Sequence, residues 1–322
     1  MRRLNQAMSM LTGRELILLA ACVVLTIAFA SASPVFATPE NAATIMRNSV
    51  ELLLIGLGMT LLLAMGGIDV SIGIVMGLSA IAVGRALGAD LDPAVAAVIG
   101  PLTGALLGLV TAAVVVLGRI PAIVGTLGIY RTAIFVVLGG QWLSGLPTGL
   151  TEMLGAGLGG VPLSFWMIAL AYLAVWLALR RTPFGLHLLA IGNSEEKARL
   201  AGISVVKVRF AAFVISGMLA GLAATFYVAT YRNVEMSTGS TLALDAIAAV
   251  VLGGTSILGG RCSLIGTVLG VLLLRILQNG LLLVGVPSLW QTVVTGGLLI
   301  AVLSLEVLAG RLSFSKLGWA SR

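Results

Sequence analysis

Runs of apolar residues, most of them close to the roughly 20 residues that cross about 30 Å of hydrocarbon, follow one another along nearly the whole chain. Ten such runs are read at 16–33, 48–66, 70–87, 93–117, 121–138, 163–179, 209–228, 244–258, 263–283 and 289–308. A backbone in lipid must satisfy its own hydrogen bonds, which leaves helix bundles and closed barrels. The runs lack the period-2 alternation of barrel strands. The expected fold is therefore all-α, a polytopic bundle of about ten transmembrane helices forming one domain over 1–322. The 10% of charged residues, against about 25% in soluble domains, agrees.

The net charge of +7 does not point to nucleic acid, because the basic residues are scattered between apolar runs rather than gathered on a soluble face. They follow a topological pattern instead. With a cytoplasmic N-terminus, Arg2, Arg3, Arg14, Arg119, Arg180, Arg181, Lys197, Arg199, Lys207, Arg209, Arg261, Arg311, Lys316 and Arg322 fall on the cytoplasmic side, 14 of the 19. Arg47, Arg85 and Arg232 fall outside, and Arg131 and Arg275 within spans. This positive-inside asymmetry implies an even number of spans with both termini cytoplasmic. Ala30-Ser31-Ala32 resembles a signal-peptide cleavage site, but the charge pattern favours a retained first helix.

The segment 180–208, RRTPFGLHLLAIGNSEEKARLAGISVVKV, is too polar to span. Asn193 is read as the cap of a short helix with Glu196 as its capping-box partner, Glu195 and Glu196 favour the helix start, and Gly202 is placed to end it. Such a helix would present Ala198, Leu200 and Ala201 to a partner's groove; a solvated connector or a helix lying on the lipid surface is the plainer alternative.

The stretches 66–73, GGIDVSIG, 192–221, GNSEEKARLAGISVVKVRFAAFVISGMLAG, and 239–260, GSTLALDAIAAVVLGGTSILGG, resemble the ribose, xylose and rhamnose permease group of bacterial ATP-binding-cassette importers. Within that group, 120–147 is similar to autoinducer-2 import permeases. The resemblance implies an inner-membrane translocation subunit for a small sugar-like solute. It also implies a second permease, homo- or heterodimeric, two cytoplasmic ATPase subunits that bind ATP and Mg, and a periplasmic solute-binding protein. The family's coupling helix falls on about 193–202, which implies ATPase contact through Gly192, Asn193, Glu195, Glu196, Ala198, Arg199 and Gly202. Independently, none of Lys197, Lys207 and Lys316 follows the glycine of a phosphate-binding loop. Energy must then come from a partner chain or an ion gradient. The chain itself is expected to hold no cofactor and no metal, and paired catalytic carboxylates, a nucleophile elbow and a zincin motif are all missing from it.

Ionisable groups in apolar runs are expensive and draw attention as functional candidates: Glu51, Asp69, Arg131, Asp245 and Arg275. Asp69 is read either as the cap of a new helix after a chain break or as a pathway residue. Arg131, beside Tyr130 and Thr126, is read as pairing with Asp69, Glu51 or Asp245, or as meeting solute hydroxyls. Gln278 and Asn279 suit interhelical bonding, with solute contact as the alternative. The candidate translocation pathway is thus Asp69, Thr126, Tyr130, Arg131, Gln278 and Asn279. Glycines at spacing four, Gly100-Gly104-Gly108 and Gly266-Gly270, predict close helix approach.

Overall fold

The computed structural model describes residues 13–158, 161–287, 289–291, 293–297, 300 and 304. The helices are α1 Gly13–Ala32, α2 Pro39–Ala64, α3 Ile72–Gly88, α4 Pro93–Ala112, α5 Ala122–Gly125, α6 Leu127–Leu138 and α7 Gly149–Gly155. After a two-stranded antiparallel hairpin, β1 Gly157–Leu158 and β2 Val161–Pro162, come α8 Leu163–Arg181, α9 Pro183–Asn193, α10 Glu195–Leu200, α11 Val205–Tyr231, α12 Leu242–Leu252 and α13 Leu264–Leu283. Six of the helices are long and apolar enough to cross a membrane, and α3, α5 with α6, and α12 are shorter apolar segments.

Several boundaries depart from the sequence reading. The run 48–66 starts a full two turns earlier, where Thr38 caps α2 and Pro39 occupies its first turn, a pairing suited to helix starts. The run 121–138 is two helices broken at Thr126. The run 244–258 stops at Leu252, because Gly254 turns left-handed at φ +91°. Within 180–208 there are two helices rather than one. Half of the run 289–308 lies outside the described residues, as do Arg2, Arg3, Arg311, Lys316 and Arg322.

Burial does not follow hydropathy. The spanning window of α1 has a mean hydropathy of 2.3 and is 17% buried, whereas that of α2 has 1.4 and is 72% buried. Lipid tails are as apolar as leucine, so apolarity alone gives a helix no reason to leave them; backbone approach and polar contacts do. A row of close approaches joins α4 to α11: Gly100, Gly104 and Gly108 lie directly against Gly221, Gly217 and Phe213. A methyl at Gly108 would meet Phe213 O at 2.5 Å. Along the other side, Gly266 and Gly270 of α13 seat on Gly253 and Ala249 of α12. Both predicted glycine rows are thus helix contacts, and by burial α2 and α11 lie in the centre with α1, α4 and α8 outside.

The two ends of the bundle differ in charge. At one end Arg14 lies beside Gly254 and Glu15 accepts from Ser263. Arg119, Arg199 and Arg209 converge at the same end. At the other, Arg85 donates to Val137 O, Arg232 donates from Nε to Leu146 O at 2.8 Å, and Leu143 exchanges two backbone bonds with Val234.

Candidate functional site

One short helix, α3, starts inside the bundle rather than at its surface, and the chain leading into a second, α12, packs on that start although Ser240 and Thr241 stay exposed. Before α3, Asp69 Oδ1 accepts from Ser71 N at 2.7 Å and from Ser71 Oγ at 2.6 Å. Asp69 and Ser71 are both buried, and Gly58 Cα lies against Ser216 and Ile72, well along α2 and α11. The Thr126 hydroxyl, at the break between α5 and α6, stands 3.0 Å from Ser71 Oγ. The start of α12 meets the start of α3 where Gly73 and Gly239 touch backbone to backbone, Gly239 at φ +81°. Such discontinuous helices, whose N-terminal N–H groups face inward, occur in transporters at substrate depth.

A charged cluster lies beside them. Glu51 on α2, Asp245 in the first turn of α12, and Arg275 and Gln278 on α13 face one another, with Arg275 the cation acting on both carboxylates. Gln278 Oε1 accepts from Arg275 Nη1 at 2.9 Å, and Gln278 Nε2 stands 3.5 Å from Asp245 Oδ2. Neither carboxylate forms an ion pair with the guanidinium; the ion pairs among the described residues both involve Glu195. Glu51 Oε1 and Arg275 Nε are buried without any hydrogen-bond partner. Leaving such groups unmade costs about 1–3 kcal/mol each, so the cluster holds an unused acceptor and an unused donor on facing helices. A hydroxyl group, which both donates and accepts, matches that pair.

The other sequence candidates are dispersed. Asn279 is paired with Asn41 through two amide bonds of 3.0 Å, tying α13 to the start of α2. Tyr130 donates to Leu107 O at 2.9 Å and lies 3.0 Å from Thr111 Oγ1, tying α6 to α4. Arg131 contradicts its reading: it is exposed and makes no ion pair among the described residues. On α6 the buried positions are Tyr130, Ile134 and Leu138, one per turn, and Arg131, one residue on from Tyr130, is turned about 100° away. The cation that does face Glu51 and Asp245 is Arg275.

At the basic end, Ser194 rather than Asn193 caps α10, accepting from Lys197 N at 3.3 Å, because Asn193 completes α9 and donates to Leu189 O. Gly202 ends α10 at φ +81°, with Ile203 N bonded to Ala198 O at 3.0 Å. Ala198 faces inward and is buried, which removes it from the exposed surface expected of it; Leu200, Ala201 and Glu196 remain exposed. Glu195 accepts from Arg199 at 2.5 Å and Arg209 at 2.7 Å. Partial burial alone would raise its pKa, but the Arg199 hydrogen bond and the charges of Arg209 and Arg199 outweigh that and hold it below the ordinary 4.5. Gly192 presses on the last carbonyl of α2, Ala64 O, and on Gly260 N, which donates to that same carbonyl at 2.9 Å. A methyl on Gly192 has no room.

Residues 41–303 match a protein family described as branched-chain amino acid transport system / permease component. Among curated proteins, the chain is 39% identical to the autoinducer 2 import system permease protein LsrC of Klebsiella pneumoniae subsp. pneumoniae over 302 residues, covering 92% of this chain and 88% of that one. It is 36% identical to the ribose import permease protein RbsC of Bacillus subtilis over 286 residues, 87% and 89% of the two chains. The ribose import permease protein RbsC of Escherichia coli K12 is also 36% identical, over 285 residues. Among solved structures no match was found.

Proposed function

Because the chain belongs to the branched-chain amino acid transport system / permease component family, we propose that it is the membrane-spanning subunit of an ATP-binding-cassette importer that carries autoinducer-2 across the bacterial inner membrane. It works with cytoplasmic ATPase subunits docked around α10, a second permease subunit and a periplasmic binding protein. The basic end of the bundle is then cytoplasmic.

The observation that carries the solute class is that Glu51 Oε1 and Arg275 Nε, on two packed helices, are both buried without a hydrogen-bond partner, with Asp245 held next to Gln278. Two carboxylates against one guanidinium leave the cluster net negative when ionised, which disfavours the carboxylate of an amino acid. The acceptor-rich site suits the hydroxyls of autoinducer-2, ribose or rhamnose. Both orphan atoms are sealed from water here, so solute entry requires α2 and α13 to separate. A conduit that must release its cargo needs only weak contacts of this kind.

Vesicles containing this chain with its ATPase and binding protein test the reading. Uptake of autoinducer-2, ribose, rhamnose and leucine is compared with and without ATP. ATP-dependent accumulation of autoinducer-2 supports the full proposal, that of ribose or rhamnose moves the cargo within the sugar-like class, and that of leucine overturns the reading of the cluster. Buried carboxylates are also a mark of ion-coupled transporters, and Glu51 and Asp245 give that second reading its basis. Uptake that ignores ATP and stops when the ion gradient collapses would establish it.

A further inference from the structure

At the basic end, the last part of α4 widens into the π-helical turn Ala113–Leu117, and the chain then doubles back through Gly118–Pro121. This corner, together with α10 and the start of α11, encloses a cavity of about 590 Å³. Its charged lining is Arg119, Arg199, Arg209 and Glu195, three guanidiniums against one carboxylate, and Val116 and Ile120 supply part of an apolar wall. Glu195 is engaged with both Arg199 and Arg209. Arg119 makes no hydrogen bond or ion pair through its side chain among the described residues, and it holds a left-handed backbone at φ +56°. π-helical turns and non-glycine residues in that conformation both cluster at functional sites, and here they stand two residues apart. Next to the cavity, Leu117, Ile120 and Val124 are exposed on a bundle whose exposed apolar surface faces lipid.

We propose that this cavity is a binding site for the headgroup of an anionic phospholipid, its phosphate held by Arg119 with Arg199 and Arg209, and its acyl chains lying along Leu117, Ile120 and Val124. The chemistry follows from the two halves of the site. The two non-bridging oxygens of a phosphate diester match the planar donor fork of a guanidinium, and basic pockets between membrane helices take such headgroups. A free phosphate has no use for the apolar wall and its lipid-facing extension. The lipid would bridge α4 to α10 at the point where Glu195 already joins α10 to α11, so it would fix the corner against which α10 moves. Nothing in this proposal depends on which solute is carried.

The test uses the purified full chain in mixed micelles. Lipid retention is read by native mass spectrometry and thermal stability is followed with added phosphatidylglycerol, phosphatidylcholine or inorganic phosphate. Phosphatidylglycerol should be retained at least fivefold over phosphatidylcholine and should raise the melting temperature. Arg119→Gln should lower that retention roughly fivefold, the factor expected for one basic side chain at an anionic headgroup; Arg181→Gln, outside the cavity, should not. Val116→Trp, which fills the cavity without changing charge, should lower retention as well and guards against a folding defect in the arginine variant. Equal retention of the two lipids, or equal behaviour of the two arginine variants, overturns the proposal. So does stabilisation by inorganic phosphate that matches the lipid's, which would make this a simple anion site. In a parallel purification of the chain with its ATPase, loss of ATPase co-purification in Arg119→Gln with lipid retention unchanged would assign the cavity to the protein partner and overturn it too.

Discussion

Asp69 and Glu51 are both carboxylates, they lie 18 residues apart in the chain, and they are equally withdrawn from solvent, at 4% and 3% exposure. Their circumstances are opposite. Asp69 is consumed locally: its Oδ1 takes both the amide and the hydroxyl of Ser71, two residues on, and Thr126 closes over that pair. Glu51 sits in the middle of a continuous helix with no turn to complete. Its Oε1 has no partner, and its counter-charge is Arg275, on another helix and beyond ion-pair distance. Burial alone therefore says little about a membrane carboxylate; whether its bonds close within one turn or across helices separates a structural group from one left available.

Four substitutions sharpen or break that contrast. Arg275→Ala has the largest expected effect, because it strips the cation from two carboxylates at once. A loss of about 3 kcal/mol or more in thermal unfolding of the purified chain is expected, with Arg275→Gln/Glu51→Gln recovering part of it. Asp69→Ala comes next, with a loss of about 1–3 kcal/mol and uptake reduced only as far as folded protein is reduced. Glu51→Gln should cost less than about 1 kcal/mol, since one of its oxygens already lacks a bond, while ATP-driven uptake per folded molecule falls more than tenfold. Equal stability losses in Glu51→Gln and Asp69→Ala would erase the distinction between the two carboxylates.

Glu195→Gln gives the smallest change, about 0.5 kcal/mol as for other surface ion pairs. Glu195 also sets the sign of a pH effect, because its folded pKa is depressed. Its contribution is present above the ordinary carboxylate value of 4.5 and disappears as pH falls from there through the folded value. Thermal melts of native protein and Glu195→Gln should converge on acidification over that window. Divergence there would mean that Arg199 and Arg209 do not hold Glu195 in solution.

Much of the architecture was legible because membrane helices announce themselves by length and composition. Gly100, Gly104 and Gly108 stand four residues apart, and the helix contact they imply is the one α4 makes. The chain break at Gly66-Gly67 and Asp69 was readable from the same local chemistry that closes it. The interior partners of the charges were less accessible. Sequence spacing locates Arg131 and Arg275 along their helices but not which way each helix is rotated, and a one-residue step separates buried Tyr130 from exposed Arg131. Asn41, which holds Asn279, precedes the run that seemed to begin at residue 48, since α2 extends two turns beyond its apolar portion. The cap at Ser194 was displaced by one residue because α9 continues through Asn193, and nothing local distinguishes two serviceable caps in succession.

The seat of Gly192 on the end of α2 has a mechanical meaning. Ala64 O is one of the carbonyls a helix leaves unpaired at its C-terminus, and it is met by Gly260 N with the α-carbon of Gly192 packed against both. With no side chain between them, the joint has no compressible spacer and hence no slack. No rotamer change is available at Gly192, so the end of α9 and the last turn of α2 are fixed to one another at this point. α2 is one uninterrupted helix from Ala64 back to Glu51, so the helix that carries the unpaired carboxylate is the one that ends on this joint.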